Sequence, residues 1–351
     1  MTGLIAIAVA GYAARGCGEP SGSVAARPDG PGSELGTDAG AVVEATRPLM
    51  GTLFAVKVWA PPGRGPAAAE ATHAALDAVG ELEGRISSWQ AGSDTAKINR
   101  AAGRAVVPVH PQLRELLEVS ARWARRTKGA FDVTGGALFE LWGRARERGT
   151  LPSEQAIRAG LALVDHRGVE LHGDGVRLSR AGMKLGFGSV GKGFAADCAA
   201  ERLRDKGFAD FVIDAGGDLL VSGSRNDRPW QVGVRDPRRG RLLATAQLGE
   251  CAIATSGDYE QFLIVDGERF GHVIDPRNGW PARGVSSVVV VASSAADADA
   301  LATGLFVLGP DEGLALVERA SSVEALFVLE GGEVRASQGL ALRDDILERV
   351  Q

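Results

Sequence analysis

Residues 41–351 are predicted to form one α+β domain of mixed, largely antiparallel sheets with packed helices. Strand-forming runs follow one another through short polar turns and do not alternate one-for-one with helices, which argues against a doubly wound parallel sheet. Fewer segments repeat apolar residues at helical spacing. With 48 glycines and only 5% aromatic residues, the core is expected to rest on Ala, Val and Leu between many tight turns.

Thr52 to Trp59 alternates as a strand does. Pro66 opens a helix, since proline is tolerated in a first turn, and Leu76, Val79, Leu82 and Ile86 recur on one face. Leu113, Leu116, Leu117, Ser120 and Ala124 mark a second amphipathic helix ending near Gly129. A third helix runs from near Gly191 to Gly207. Phe211 to Ile213 is a strand leading into a Gly216-Gly217 turn, and Leu219-Leu220-Val221 continues beyond it. Trp230 to Arg235, Ile253-Ala254, Phe262 to Val265 and Val288 to Val291 read as further strands. Ala296 to Leu308 reads as a fourth helix and Ala325 to Leu329 as a late strand.

A hydrophobic content of 45% and a charged content of 24% are those of a soluble globular protein. A net charge of -5 leaves no broad basic surface, so nucleic acid is not an expected partner. Three cysteines are too few for a disulfide framework. Cys198 and Cys251 read as buried small hydrophobes, and no Cys/His cluster has zinc-ligand spacing.

The N-terminus reads as an export segment. Leu4 to Ala14 is apolar but too short to span a bilayer as a helix. It runs into Ala14-Arg15-Gly16-Cys17, which resembles a bacterial lipoprotein cleavage box with Cys17 as the lipidated first residue. Arg15, Ala14 in place of the commoner leucine, and a basic-free Met1-Thr2-Gly3 depart from that pattern. Residues 1–17 are therefore expected to be a lipoprotein-type signal and 18–40 a flexible tether rich in Gly, Pro and Ser. The expected location is the bacterial cell envelope, membrane-anchored on the extracytoplasmic side.

Chemistry concentrates in a few runs. Phe270-Gly271-His272-Val273-Ile274-Asp275-Pro276 carries the only histidine of the C-terminal half, and Ala254 to Glu260 is read as a polar, hydroxyl-bearing turn that a hairpin brings beside it. Asp299 and Thr303 are four apart on a predicted helix, so both hard oxygen ligands face one way, as a magnesium site needs. Gly188 to Gly193 opens a helix with Lys192, an arrangement that lets backbone N–H groups approach phosphate. It is not a Walker A loop, because the spacing and the Ser/Thr after the lysine are missing.

In order along the chain stand Met50-Gly51-Thr52; Gly129-Ala130-Phe131-Asp132-Val133-Thr134 with Leu141-Trp142-Gly143; Gly188 to Gly193; Asp214-Ala215-Gly216-Gly217-Asp218; Thr255 to Tyr259; His272 to Pro276; and Ala298 to Thr303. Together these runs resemble the ApbE-like flavin transferases, the FAD:protein FMN transferases, over roughly Met50 to Gly309. The resemblance implies that FAD is the substrate, that Mg2+ is the cofactor, and that FMN passes to a Thr or Ser hydroxyl of an acceptor redox protein with release of AMP. It implies metal ligation by Asp299, Thr303 and the main-chain carbonyl of Gly191. It implies flavin contacts from Met50, Trp89, Asp132, Lys192 and Asp258. His272 is the expected catalytic base, with Asp258 and Asp275 as alternatives. An FAD pyrophosphatase giving FMN and AMP, or a non-catalytic flavin-binding lipoprotein, would carry the same fold. Two departures from the family pattern are Gly186, where an aspartate is usual, and Asn278, where threonine is commoner. Asp218 reads only as a strand-turn residue, and His73, His110, His166 and His172 are given no role.

Overall fold

The computed structural model describes residues 40–235, 242–246, 250–258, 261–343 and 346–349. The expected signal with Cys17, residues 18–39 of the expected tether, and Tyr259 with Glu260 lie outside the described residues.

The strands that build the site are β1 (Ala41–Leu49), β2 (Thr52–Ala60), β3 (Phe211–Ala215), β4 (Asp218–Ser222), β5 (Cys251–Gly257), β6 (Phe262–Val265), β7 (Glu268–Gly271), β8 (Val285–Ala292), β9 (Glu324–Leu329) and β10 (Val334–Ala336). All but β6 and β7 join one eight-stranded sheet in the order β1-β2-β3-β4-β5-β8-β9-β10. Every neighbouring pair in it is antiparallel. Strands β6 and β7 form a separate antiparallel hairpin. A parallel ladder does occur, between the short strands Leu242–Ala246 and Ile346–Arg349 of a peripheral four-stranded sheet.

The helices are α1 (Gly65–Ile86), α2 (Asp94–Ala101), α3 (Pro111–Arg126), α4 (Gly136–Arg148), α5 (Glu154–Leu161), α6 (Gly191–Asp205) and α7 (Ala295–Val317). Helices α1, α6 and α7 pack on one face of the sheet. Alternation along the strands divides the core between the two faces. Phe211, Ile213 and Ala215 of β3 join the cluster under the helices, whereas Val212 faces the opposite cluster with Trp230 and Val232. Central β8 is buried along its whole length, Val288 and Val290 on one face and Val289 and Val291 on the other.

The apolar stripe of α1 is buried as the periodicity predicts, with Leu76, Val79 and Leu82 fully inside. Helix α7 continues beyond the expected Leu308. Gly309, at φ 76°, and Pro310 break its geometry there, and a second helical segment runs on to Val317. Phe131 to Thr134 is a turn leading into α4, with Asp132 Oδ1 accepting the Thr134 N–H. One reading changes. Ala254 to Gly257 belongs to strand β5, not a turn, paired with Val290 to Ser287 of β8.

Candidate active site

The N-termini of α6 and α7 meet at Gly193. A Cβ there would lie 2.1 Å from the carbonyl oxygen of Ala295, so only glycine permits the approach. Val190, the residue before α6, has no side-chain cap to offer. Asp299 of α7 supplies it: its Oδ2 accepts the Gly193 N–H at 3.0 Å. Asp197 of α6 returns the bond, accepting Ser294 Oγ at 2.9 Å and the N–H groups of Ala295 and Ala296 at 2.9 and 2.8 Å. Burial pushes the Asp197 pKa up, while these donors oppose that shift.

Asp218 enters through the β3–β4 hairpin. Gly216 and Gly217 take φ of 71° and 104°, a turn only glycine makes without strain, and they deliver Asp218 to the first position of β4. Its Oδ2 accepts Lys192 Nζ at 2.6 Å and its Oδ1 accepts the Thr255 N–H at 3.1 Å. Lys192 Nζ also stands 3.5 Å from Asp299 Oδ1. Asp299 is 4% exposed. Burial pushes its pKa up to about 6, with Asp218 adding to the rise and Lys192 opposing it.

One turn further along α7, Thr303 Oγ1 lies 3.4 Å from Ser256 Oγ. Gly191 opens α6, so its carbonyl belongs to the same first turn as the N–H that Asp299 holds. Among the described residues no group of three or more His, Cys, Asp or Glu could hold a metal. A single carboxylate with neutral oxygens beside it nevertheless fits Mg2+, which binds through one or two carboxylates plus substrate phosphates and keeps several waters. Asp299, desolvated and next to a second carboxylate, is the group a cation would relieve.

These residues open onto a cavity of about 790 Å³, within the range of small-molecule sites. Lys192, Thr255, Ser256, Asp299 and Thr303 line one wall, and Trp89, Asp132, Trp142, Arg146 and His272 line others. A smaller cavity of about 300 Å³, between the end of α3 and the second segment of α7, contains none of them.

The β6–β7 hairpin places His272. It is held by a satellite core of Leu263, Phe270 and Ile274 against Trp142 of α4. Trp142 Nε1 donates to the Gly279 carbonyl at 2.8 Å, tying α4 to the turn that follows His272. Nδ1 of His272 is buried and meets no hydrogen-bond partner among the described residues. Burial first, then the charges of Arg146 and Lys192, lower the imidazole pKa to about 4, against a raising contribution from the Gln261 backbone. The ring is therefore neutral at pH 7.

The alternatives to His272 are engaged elsewhere. Asp275 accepts the N–H and the guanidinium of Arg277, each at 2.9 Å, and Asn278 Nδ2 at 3.1 Å, so its carboxylate ties up its own turn. Asp258, at the end of β5, lies outside the cavity lining, with its carboxylate 3.9 Å from Arg269. Of the expected flavin contacts, Lys192, Asp132 and Trp89 share the cavity and Asp258 does not. Trp89 is 84% exposed, an indole left in water at the cavity mouth. Asp132 is buried with both oxygens occupied, Oδ1 by Thr134 and Oδ2 by the N–H and ring of His166. Met50 is not among the lining residues either, yet it sits at φ 52° in the β1–β2 turn, and its Cε lies 3.3 Å from where Gly191 would carry a Cβ. Such a backbone is costly for a non-glycine residue and marks Met50 as held against the start of α6.

Asp197 and Arg146 are absent from the sequence analysis, where Asp218 reads only as a strand-turn residue and Ser256 only as part of the hydroxyl-bearing run from Ala254. Asp197 was detectable as a lone carboxylate amid the alanines of α6. Asp218 follows a double glycine, a signal of position but not of partner. Nothing in the local sequence marks Arg146, which looks like an ordinary basic residue in the last turn of a helix.

An antiparallel sheet covered by helices whose N-termini meet at an acid–lysine cluster, with a neutral histidine in the same dinucleotide-sized cavity, defines a flavin-transferase class of site. The ApbE family model matches residues 50–327, and the chain belongs to that family. It is 35% identical over 323 residues to the FAD:protein FMN transferase of Treponema pallidum, covering 86% of this chain and 88% of the relative. It is 32% identical over 293 residues to an FAD:protein FMN transferase of Klebsiella pneumoniae, covering 80% and 83%. Among solved structures, the flavin transferase ApbE of Vibrio cholerae superposes with a TM-score of 0.76 at 28% identity, covering 85% of this chain and 98% of that one. The ApbE protein of Thermotoga maritima gives 0.78 at 31% identity, covering 85% and 97%.

Proposed function

We propose that this protein is an FAD:protein FMN transferase that moves FMN from FAD to a Thr or Ser hydroxyl of an acceptor redox protein and releases AMP. The observation that carries the reading is the meeting in one cavity of neutral His272 with the Lys192–Asp218–Asp299 cluster, in a chain whose relatives bear that name.

His272 takes the proton of the acceptor hydroxyl, for which a neutral imidazole is required. The freed oxygen attacks the FMN phosphorus, the bond to the AMP oxygen breaks, and AMP leaves with the electron pair. Asp299, Thr303 and the Gly191 carbonyl are the residues that would hold Mg2+. When bound, the ion neutralises charge on the pyrophosphate. Asp218 keeps Lys192 aimed at the same region. Trp89 offers its exposed indole to a flat ring. Met50 packs against the start of α6, and Asp132 forms cavity wall with a carboxylate already committed to Thr134 and His166. Asp258 then acts through the end of β5 and not by direct contact.

Incubation with FAD, Mg2+ and an acceptor peptide tests this reading. Covalent flavin fluorescence on the denatured peptide supports transfer. Free FMN and AMP without labelled peptide would assign pyrophosphatase activity, and FAD binding without AMP release a carrier. We further propose that Cys17 carries a lipid anchor and holds the domain on the extracytoplasmic side of a bacterial membrane, a reading supported by the apolar run before it.

A further inference from the structure

Helix α4 presents Phe139, Trp142 and Arg146 to the cavity at the i, i+3, i+7 spacing of a single helix face. Trp142 is anchored at both ends, by its bond to Gly279 and by its ring contacts with Phe270 and Trp280. Arg146, one turn on, therefore projects from a fixed wall. The other charged side chains of the lining mostly have partners in the protein. Lys192 is paired with Asp218 and Asp299, Asp132 with His166, and Arg144 with Glu140. Among the described residues, no hydrogen bond or ion pair engages the Arg146 guanidinium; the charge of neighbouring Glu147 acts on it, more weakly than burial does. It is nonetheless partly buried, and that burial lowers its pKa. A basic residue that served only the helix dipole would extend into water. A guanidinium withdrawn from water without a partner costs free energy that a bound anion would return.

Of the cations in the cavity lining, Lys192 is held by Asp218 and Asp299 and Arg144 by Glu140, so among the described residues Arg146 is the one whose guanidinium no carboxylate engages directly. Its charge is felt at the His272 ring, so the two share one part of the cavity.

Resting on the flavin-transferase reading, we propose that Arg146 is a phosphate-binding residue that grips the non-bridging oxygens of the FMN phosphoryl group of FAD. In the transfer step the acceptor oxygen bonds to that phosphorus and the bond to the AMP oxygen breaks. The hydroxyl proton passes to His272, and Arg146 holds the equatorial oxygens throughout without exchanging a proton. A planar guanidinium suits two oxygens of one phosphate better than an ammonium does.

Affinities for FAD and for riboflavin, which has the same ring and no phosphate, separate this role from a structural one. They are measured with Mg2+ present, together with kcat and KM for FMN transfer, on the wild type, Arg146→Ala and Arg146→Lys. Arg146→Ala should weaken FAD binding by about tenfold to a hundredfold and leave riboflavin binding unchanged. Arg146→Lys should recover part of the FAD affinity. All three proteins should melt at similar temperatures, because the guanidinium has no partner in the fold. Equal FAD affinity in the wild type and Arg146→Ala would overturn the assignment, as would equal losses for FAD and riboflavin. A wild type that binds FAD but transfers no FMN would remove the transferase reading and leave the phosphate contact standing.

Discussion

Asp197 and Asp299 cap each other's helices: Asp197 on α6 closes the N-terminus of α7, and Asp299 on α7 closes that of α6. The exchange fixes the relative position of the two helices at the point where Lys192 and Thr303 face the cavity. It also explains why Val190 can precede α6 without offering a polar cap. Removing Asp197 should therefore do two things. Asp197→Ala should cost about 1–2 kcal/mol of stability as the cap is lost, read as a lower midpoint in denaturant. It should also weaken Mn2+ binding, followed by electron paramagnetic resonance, because Asp299 loses its fixed place. Lower stability with unaltered Mn2+ affinity would confine Asp197 to the fold.

Asp299 itself is the group on which the cation site depends most. Asp299→Ala should abolish Mg2+-dependent turnover while the protein remains folded by circular dichroism. The buried Lys192–Asp218 pair stays intact in that variant, so gross collapse is not expected. Turnover with the same metal dependence would take Asp299 out of the site.

Gly186 stands where the family usually has aspartate. It lines the cavity, and a Cβ there would meet only Gly136 Cα and Phe139 Cδ2 at an ordinary 3.6 Å. Gly186→Asp should therefore fold, and it should tighten FAD binding or raise turnover. Weaker FAD binding in a well-folded variant would mean that this pocket has been rebuilt around the glycine.

Fractionation checks the proposed anchor. Expressed with its export segment in a bacterial host, the protein should sediment with membranes and incorporate a fatty-acid analogue. Cys17→Ala should not incorporate it. Labelling of that variant to the wild-type level would rule out Cys17 as the lipidated residue.

Much of the fold was legible because its signals are local. The stripe of Leu76, Val79 and Leu82, the alternation of β2 and the Gly216-Gly217 turn each state their geometry within a few residues. The place of Asp132 in the cavity wall was not legible, because one of its oxygens is held by His166, 34 positions away. The polar run after Ala254 looks like a turn because its side chains carry hydroxyls, until β8 pairs with it. In the site, the spacing of Asp299 and Thr303 announced itself. The partnerships of Lys192 with Asp218 and of Asp197 with Ala295 did not, because they join residues 26 and 98 positions apart. Arg146 was invisible because what distinguishes it is the lack of a partner.

The central claim is that neutral His272 drives FMN onto an acceptor hydroxyl. The direct measurement is the rate of covalent flavin appearance on a denatured acceptor peptide, for the wild type and His272→Ala, across pH. The variant should still bind FAD, since Lys192 and the cation ligands are untouched, and should transfer FMN about 10²–10⁴-fold more slowly. At Mg2+ concentrations that keep Asp299 ionised, and with the His272 pKa lowered to about 4 by burial, wild-type kcat/KM should stay level from pH 7 down to about 5 and fall below that, as the imidazole gains its proton. The same shift sets a stability trend. The unfolded chain binds the His272 proton near its ordinary value of 6.5 and the folded chain only near 4, so stability should decline as pH drops between those values and the contribution should level off below. His272→Ala should lack that part of the decline. Transfer by His272→Ala at the wild-type rate, with the wild-type pH profile, would contradict the account.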